Sequence, residues 1–191
     1  MDVPTLHRRA VELWEARVST VADDQWEAST PCTGWNVRDL VNHVVGEELW
    51  TAPLLEGSTI EQVGSRFDGD VLGDDPVATS HRAARTALAA VDENASVRDT
   101  VHLSYGDEST DEYLCQLAAD HLVHGWDLAV ATGGDPSLAP DLVDEVAVWF
   151  AGRESAYRAS GAIGPHVEVR GDAQTELLAA FGRDARWAAR V

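Results

Sequence analysis

The chain has 191 residues, enough for one domain with a well-formed core, and an ordinary apolar share of 45%. Its formal charge is -19, and all 14 of its basic residues are arginine. That field opposes phosphate backbones and anionic lipid, and the absence of lysine excludes Schiff-base chemistry and a P-loop lysine.

No apolar run approaches the ~20 residues that span a bilayer. The opening Met1 to Ala10 is polar with scattered charge, unlike a secretory signal. Two cysteines, Cys32 and Cys115, are too few for a disulfide framework and predict a reducing, cytoplasmic setting. The expectation is one domain over 1–191 with no nucleic-acid or membrane partner, as a monomer or homodimer.

The first predicted helix runs from about Pro4 to Val21, with Leu6, Ala10, Leu13, Trp14, Val18 and Val21 at helical spacing. A turn-rich loop, Ala28 to Trp35, leads to a second helix starting near Asn36, capped with Asp39 three residues on. Its apolar stripe carries Val37, Leu40, Val41, Val44 and Val45, and His43 and Glu47 fall together at one edge of that stripe. Trp50 lies on the same edge and is a candidate pocket wall.

A long connection follows, Ala52 to Asp75, with a capping box at Ser58–Glu61 that predicts one short helix. The acidic run Asp68 to Asp75 fails as an EF-hand, because its fifth and twelfth positions are Leu72 and Thr79, and it reads as a solvated loop. The third main helix starts at Pro76 after the cap Asp75. Val97 to Tyr105 alternates, predicting an extended segment with Val97, Val101, Leu103 and Tyr105 on one side and no evident strand partner.

The fourth main helix is capped by Ser109 with Glu112 and ends near Gly133. A fifth runs from Pro140 to about Arg158, and a last short one from Asp172 to Phe181. Four amphipathic helices with a long crossover between the second and third, plus a short helical C-terminal extension, indicate an all-α four-helix bundle.

Asp120 and His124 are four apart, which stacks them on successive turns of one helix face. They sit at the edge of their apolar stripe as His43 does on its own helix, so two packed helices can bring the three groups together. Two imidazoles and a carboxylate suit Zn²⁺ first, with Ni²⁺ or Fe²⁺ as alternatives, and leave a position open. The ordinary alternative is a surface Asp–His ion pair. Glu47 and Asp127 are candidates to orient a ligand histidine from behind. His121, mid-stripe, fits a core histidine bonded to a backbone carbonyl, or a rival ligand beside His124. Cys32 and Cys115 read as packed residues, and the seven tryptophans as core by default.

The segment Thr30-Pro31-Cys32-Thr33-Gly34-Trp35-Asn36-Val37-Arg38-Asp39-Leu40-Val41-Asn42-His43 resembles the opening motif of the DinB-like metal-binding proteins related to mycothiol-dependent maleylpyruvate isomerase. Asp120-His121-Leu122-Val123-His124-Gly125-Trp126-Asp127-Leu128-Ala129 resembles that family's second motif, and the Gly69–Pro76 run and Gly182-Arg183-Asp184 resemble its actinobacterial metal-binding subgroup. The resemblance implies a four-helix bundle whose metal ligands are His43, Asp120 and His124. The isomerase branch carries Glu at the place of Asp120 and a larger C-terminal domain, so isomerisation of maleylpyruvate itself is not expected. It further implies mycothiol as cosubstrate and a metal-dependent S-transferase or isomerase acting on a small electrophile. The alternatives are a non-catalytic metal- or ligand-binding bundle and a metal-water hydrolase.

Overall fold

The computed structural model describes residues 1–188. Helix α1 (Val3–Val18) starts at Asp2, whose side chain accepts from the Thr5 N–H at 2.8 Å. Helix α2 (Val37–Leu55) opens with a reciprocal capping box, Asn36 accepting from the Asp39 amide and Asp39 from the Asn36 amide. Helix α4 (Pro76–Asn94) is capped by Asp75, and α5 (Thr110–Thr132) by Ser109. The end of α5 is Gly133 at φ 71°, a left-handed residue that closes the last turn.

These four helices form the bundle. Helix α1 packs on α5 and α4, and α2 packs on α4 and α5. Burial of the predicted stripes drives this: Trp14, Val18, Leu40, Val41, Val44 and Leu128 are enclosed in one cluster. Helices α1 and α5 approach closely because α5 carries Gly125, where a Cβ would lie 2.8 Å from Arg17 Nη1 and 2.9 Å from Leu13 Cδ2.

The crossover holds the short α3 (Ile60–Val63), one residue later than expected, since the box is formed by Thr59 with Gln62. Both pairs satisfy the sequence pattern. The amide of Ser58, however, is taken by Pro53 O at 2.9 Å as α2 ends through the left-handed Gly57. The acidic run is not free loop either. Arg38 bonds Asp70 at 2.7 Å and Gly73 O at 2.8 Å, Asn42 bonds Gly69 O and the Val71 amide, and Leu72 is buried.

The extended segment does have a partner. Strand β1 (Thr100–Leu103) pairs antiparallel with β2 (Gly106–Ser109), Leu103 opposite Gly106. Only Val101 of the predicted face is buried; Val97 and Tyr105 are exposed, and Tyr105 sits in the turn, hydrogen-bonded to Gln116. The predicted fifth helix is two, α6 (Pro140–Ala151) and α7 (Glu154–Ser160), broken at Gly152 where Arg153 turns to meet Glu112. Helix α6 packs on α5 and α8 (Ala173–Ala180) packs on α6, and Phe150 stacks on Phe181 at 4.0 Å between centroids.

Candidate metal centre

Helices α2 and α5 place His43, Asp120 and His124 at one point. Asp120 Oδ2 lies 3.3 Å from His43 Nε2, and Asp120 Oδ1 lies 3.3 Å from His124 Nε2. The two imidazoles are 5.1 Å apart, nearly perpendicular, and one ligand atom from each residue lies within 4.8 Å of the other two. Asp120 Oδ2 is buried, with no hydrogen-bond partner among the described residues. A carboxylate so placed, one oxygen toward each imidazole, fits a cation.

The other edge of the His124 ring is held from behind. Its Nδ1–H donates to Asp127 Oδ2 at 2.8 Å, which leaves Nε2 as the nitrogen facing Asp120 and His43. Asp127 is fully buried and is gripped by Arg183, whose Nη2 lies 2.9 Å from Oδ2. Cys32 Sγ lies 3.3 Å from the same oxygen, 3.3 Å from Arg183 Nη2 and 3.8 Å from His124 Nδ1. Cys32, His124 and Asp127 thus form a second trio of metal-capable groups. The Arg183 guanidinium already occupies its charge, so a second cation there meets like-charge repulsion at close range. Among the described residues no arginine is ion-paired with His43 or Asp120.

The charges explain the protonation pattern. Burial lowers the His124 pKa, but Asp120 and then Asp127 outweigh it and hold it well above the usual imidazole value. Burial raises Asp120, yet His124 and His43 hold it well below the usual carboxylate range. Burial and the Asp120 charge push Glu47 up.

The loop before α2 completes the centre. Thr30 and Trp35 are closed on each other, the Thr30 amide donating to Trp35 O at 3.2 Å and the Trp35 amide to Cys32 O at 3.0 Å, with Gly34 at φ 83° making the turn. Trp35 consequently lies against both imidazoles, 5.1 Å from His43 and 6.1 Å from His124. Trp50, the expected wall, packs instead on Phe67 in the crossover. His121 turns away: Nδ1–H donates to Leu117 O at 2.7 Å and Nε2 meets Glu48 at 3.1 Å, so both nitrogens are occupied inside the bundle. This is the core histidine bonded to a backbone carbonyl that the sequence pattern favoured over a rival ligand beside His124.

A cavity of about 920 Å³ opens on His43, Asp120 and His124, with Glu47 in its wall. A family model described as the mycothiol maleylpyruvate isomerase N-terminal domain matches residues 7–129.

The chain belongs to the mycothiol maleylpyruvate isomerase N-terminal domain family.

Two uncharacterized proteins of Mycobacterium tuberculosis, from different strains, are each 32% identical over 149 residues, covering 76% of this chain and 75% of theirs. No solved structure matches it significantly. The part matched to the family holds His43, Asp120, His124, Asp127 and Cys32, whereas Arg183 lies beyond it. Sequence reasoning missed the roles of Cys32, Trp35 and Arg183. Only the Gly182-Arg183-Asp184 likeness pointed to the last, and it carried no contact.

Proposed function

We propose that this chain holds one divalent metal ion with His43, Asp120 and His124 and binds a low-molecular-weight thiol of the mycothiol class at the open position for transfer to a small electrophile. The observation that carries the reading is the convergence of these three groups at the head of a cavity in a member of a mycothiol-named family. Zn²⁺ is the first choice for two imidazoles and a carboxylate. When bound, such an ion supplies the positive charge that lets a thiol ionise near neutral pH.

The protein's own groups do the rest. Asp127 fixes the His124 tautomer. Trp35 covers the two imidazoles and limits water. Glu47, raised above an ordinary carboxyl and lining the cavity, takes the thiol proton. In addition to an enone, the sulfur electron pair forms the C–S bond at the β-carbon, the π electrons move to the carbonyl oxygen, and Glu47 returns the proton to the α-carbon. Atoms and charge balance without a protein nucleophile, so Cys32 need not react.

Elemental analysis tests the site. One ion per chain is expected, with at least tenfold weaker binding in His43→Ala, Asp120→Ala and His124→Ala and retention in Cys32→Ser and His121→Ala. Loss only in Cys32→Ser or His121→Ala refutes the assignment. Cobalt-loaded protein should show a sulfur-to-metal charge-transfer band with mycothiol; a loaded protein with no band for any small thiol leaves a metal-binding bundle without this chemistry.

A further inference from the structure

The cavity reaches from His43, Asp120 and His124 to a distal wall, most of which lies beyond the residues matched to the family. That wall is built by Trp149, Arg153, Tyr157 and Ile163, facing Gln116 and Glu108. Trp149 and Tyr157 meet edge to face at 5.9 Å, and the Arg153 guanidinium sits over Trp149 at 5.2 Å. The exposed Tyr105 stands at the rim, exchanging hydrogen bonds with Gln116.

Both guanidiniums lining the cavity are already neutralised. Arg153 holds Glu112 through Nε at 2.9 Å and Nη2 at 2.7 Å, and spends Nη1 on Trp149 O at 2.7 Å. Arg183 is given to Asp127. With Glu108 added, the distal wall of described residues carries two carboxylates against one guanidinium. A carboxylate ligand there would lose its hydration and gain no free cation. An uncharged ring would gain aromatic contacts and lose nothing.

We propose that this distal lobe is the electrophile subsite, and that it takes an uncharged, flat, aromatic-sized carbonyl compound and rejects carboxylates. The assignment of the occupant as an electrophile rests on the transferase reading above; the charge preference rests on the lobe alone. Selection of the electrophile then resides in the wall built by Trp149, Arg153, Tyr157 and Ile163, away from the end that takes the thiol.

Benzylideneacetone and trans-cinnamate share one skeleton and differ in the terminal group, methyl ketone against carboxylate. Calorimetric titration of the full chain without thiol should give at least tenfold tighter binding of the ketone. The same selectivity should appear in His124→Ala, so absence of metal sinks the transferase reading without touching the lobe. Tyr157→Ala should weaken ketone binding at least fivefold, and Glu112→Gln, which frees Arg153, should narrow the gap by improving cinnamate. Equal or tighter cinnamate binding in the wild type overturns the proposal. So does ketone binding that survives Tyr157→Ala unchanged, or cinnamate binding that Glu112→Gln leaves unimproved.

Discussion

Replacing Arg183 by Met tests how the C-terminal segment supports the histidine. Asp127 is 0% exposed and the Arg183 side chain 17%, so the pair is little screened by solvent. Removing one partner of such a pair costs about 3–5 kcal/mol, chiefly by leaving a buried charge uncompensated. Asp127 keeps the His124 Nδ1–H at 2.8 Å and the Cys32 thiol at 3.3 Å. The loss should therefore sit at the lower end, about 3 kcal/mol, or roughly 6–12 °C in Tm for a chain of this size. Urea unfolding followed by circular dichroism and tryptophan fluorescence measures it. In an Asp127→Asn background, where no charge is left to compensate, the same Arg183→Met change should cost only about 1 kcal/mol. A loss below about 1 kcal/mol in the wild-type background, or equal losses in both, would show that the pair does not hold the ring as argued.

Three further outcomes are expected. His7, buried beside His121 with both ring nitrogens unpaired among the described residues, is driven down to about 3 by burial. The unfolded chain therefore binds a proton that the folded one refuses between about pH 6.5 and 3, so stability falls with acidification by at most about 1.4 kcal/mol per pH unit. His7→Leu should flatten that slope by about 2 kcal/mol between pH 6.5 and 5, read from urea midpoints; identical slopes would sink it. Gly125→Val should cost about 1–3 kcal/mol by pushing Arg17 and Leu13 off α5, and an unchanged thermal midpoint would count against the close approach. Duplex DNA should give no salt-sensitive gel shift at micromolar protein, in keeping with the -19 charge; a shift that fades with salt would overturn this.

The helices were readable because their signals are local. Asn36 with Asp39, Asp75, Ser109 and Asp172 all cap where the side-chain chemistry says they should. His43, Asp120 and His124 were legible for the same reason: helical periodicity reports which residues share a face. It does not report height along a helix. Trp50 shares the angular edge of His43 but stands seven residues on, about 10 Å along the axis, and so reaches the crossover instead. Cys32 and Arg183 are 151 residues apart, and no local rule joins them. Their meeting depends on Phe181 stacking against Phe150, a tertiary event. The break at Gly152 had a local sign in the glycine, but the ion pair with Glu112 on another helix that Arg153 makes there did not.

The Arg183 contact also has a place in time. A ribosome adding about 5–20 residues per second needs about 3–12 s to go from His124 to Arg183. For almost all of that interval, from Asp127 on, the growing chain already contains both histidines, both aspartates and Cys32, and lacks their arginine. Until then Asp127 has no guanidinium to hold its carboxyl in the ionised form. Arrival of Arg183 ends that interval by giving Asp127 a fixed counter-charge and leaving Asp120 as the carboxylate still turned to the cavity. A chain cut short of it would carry every metal-capable residue of both trios without the guanidinium that sets their charges apart.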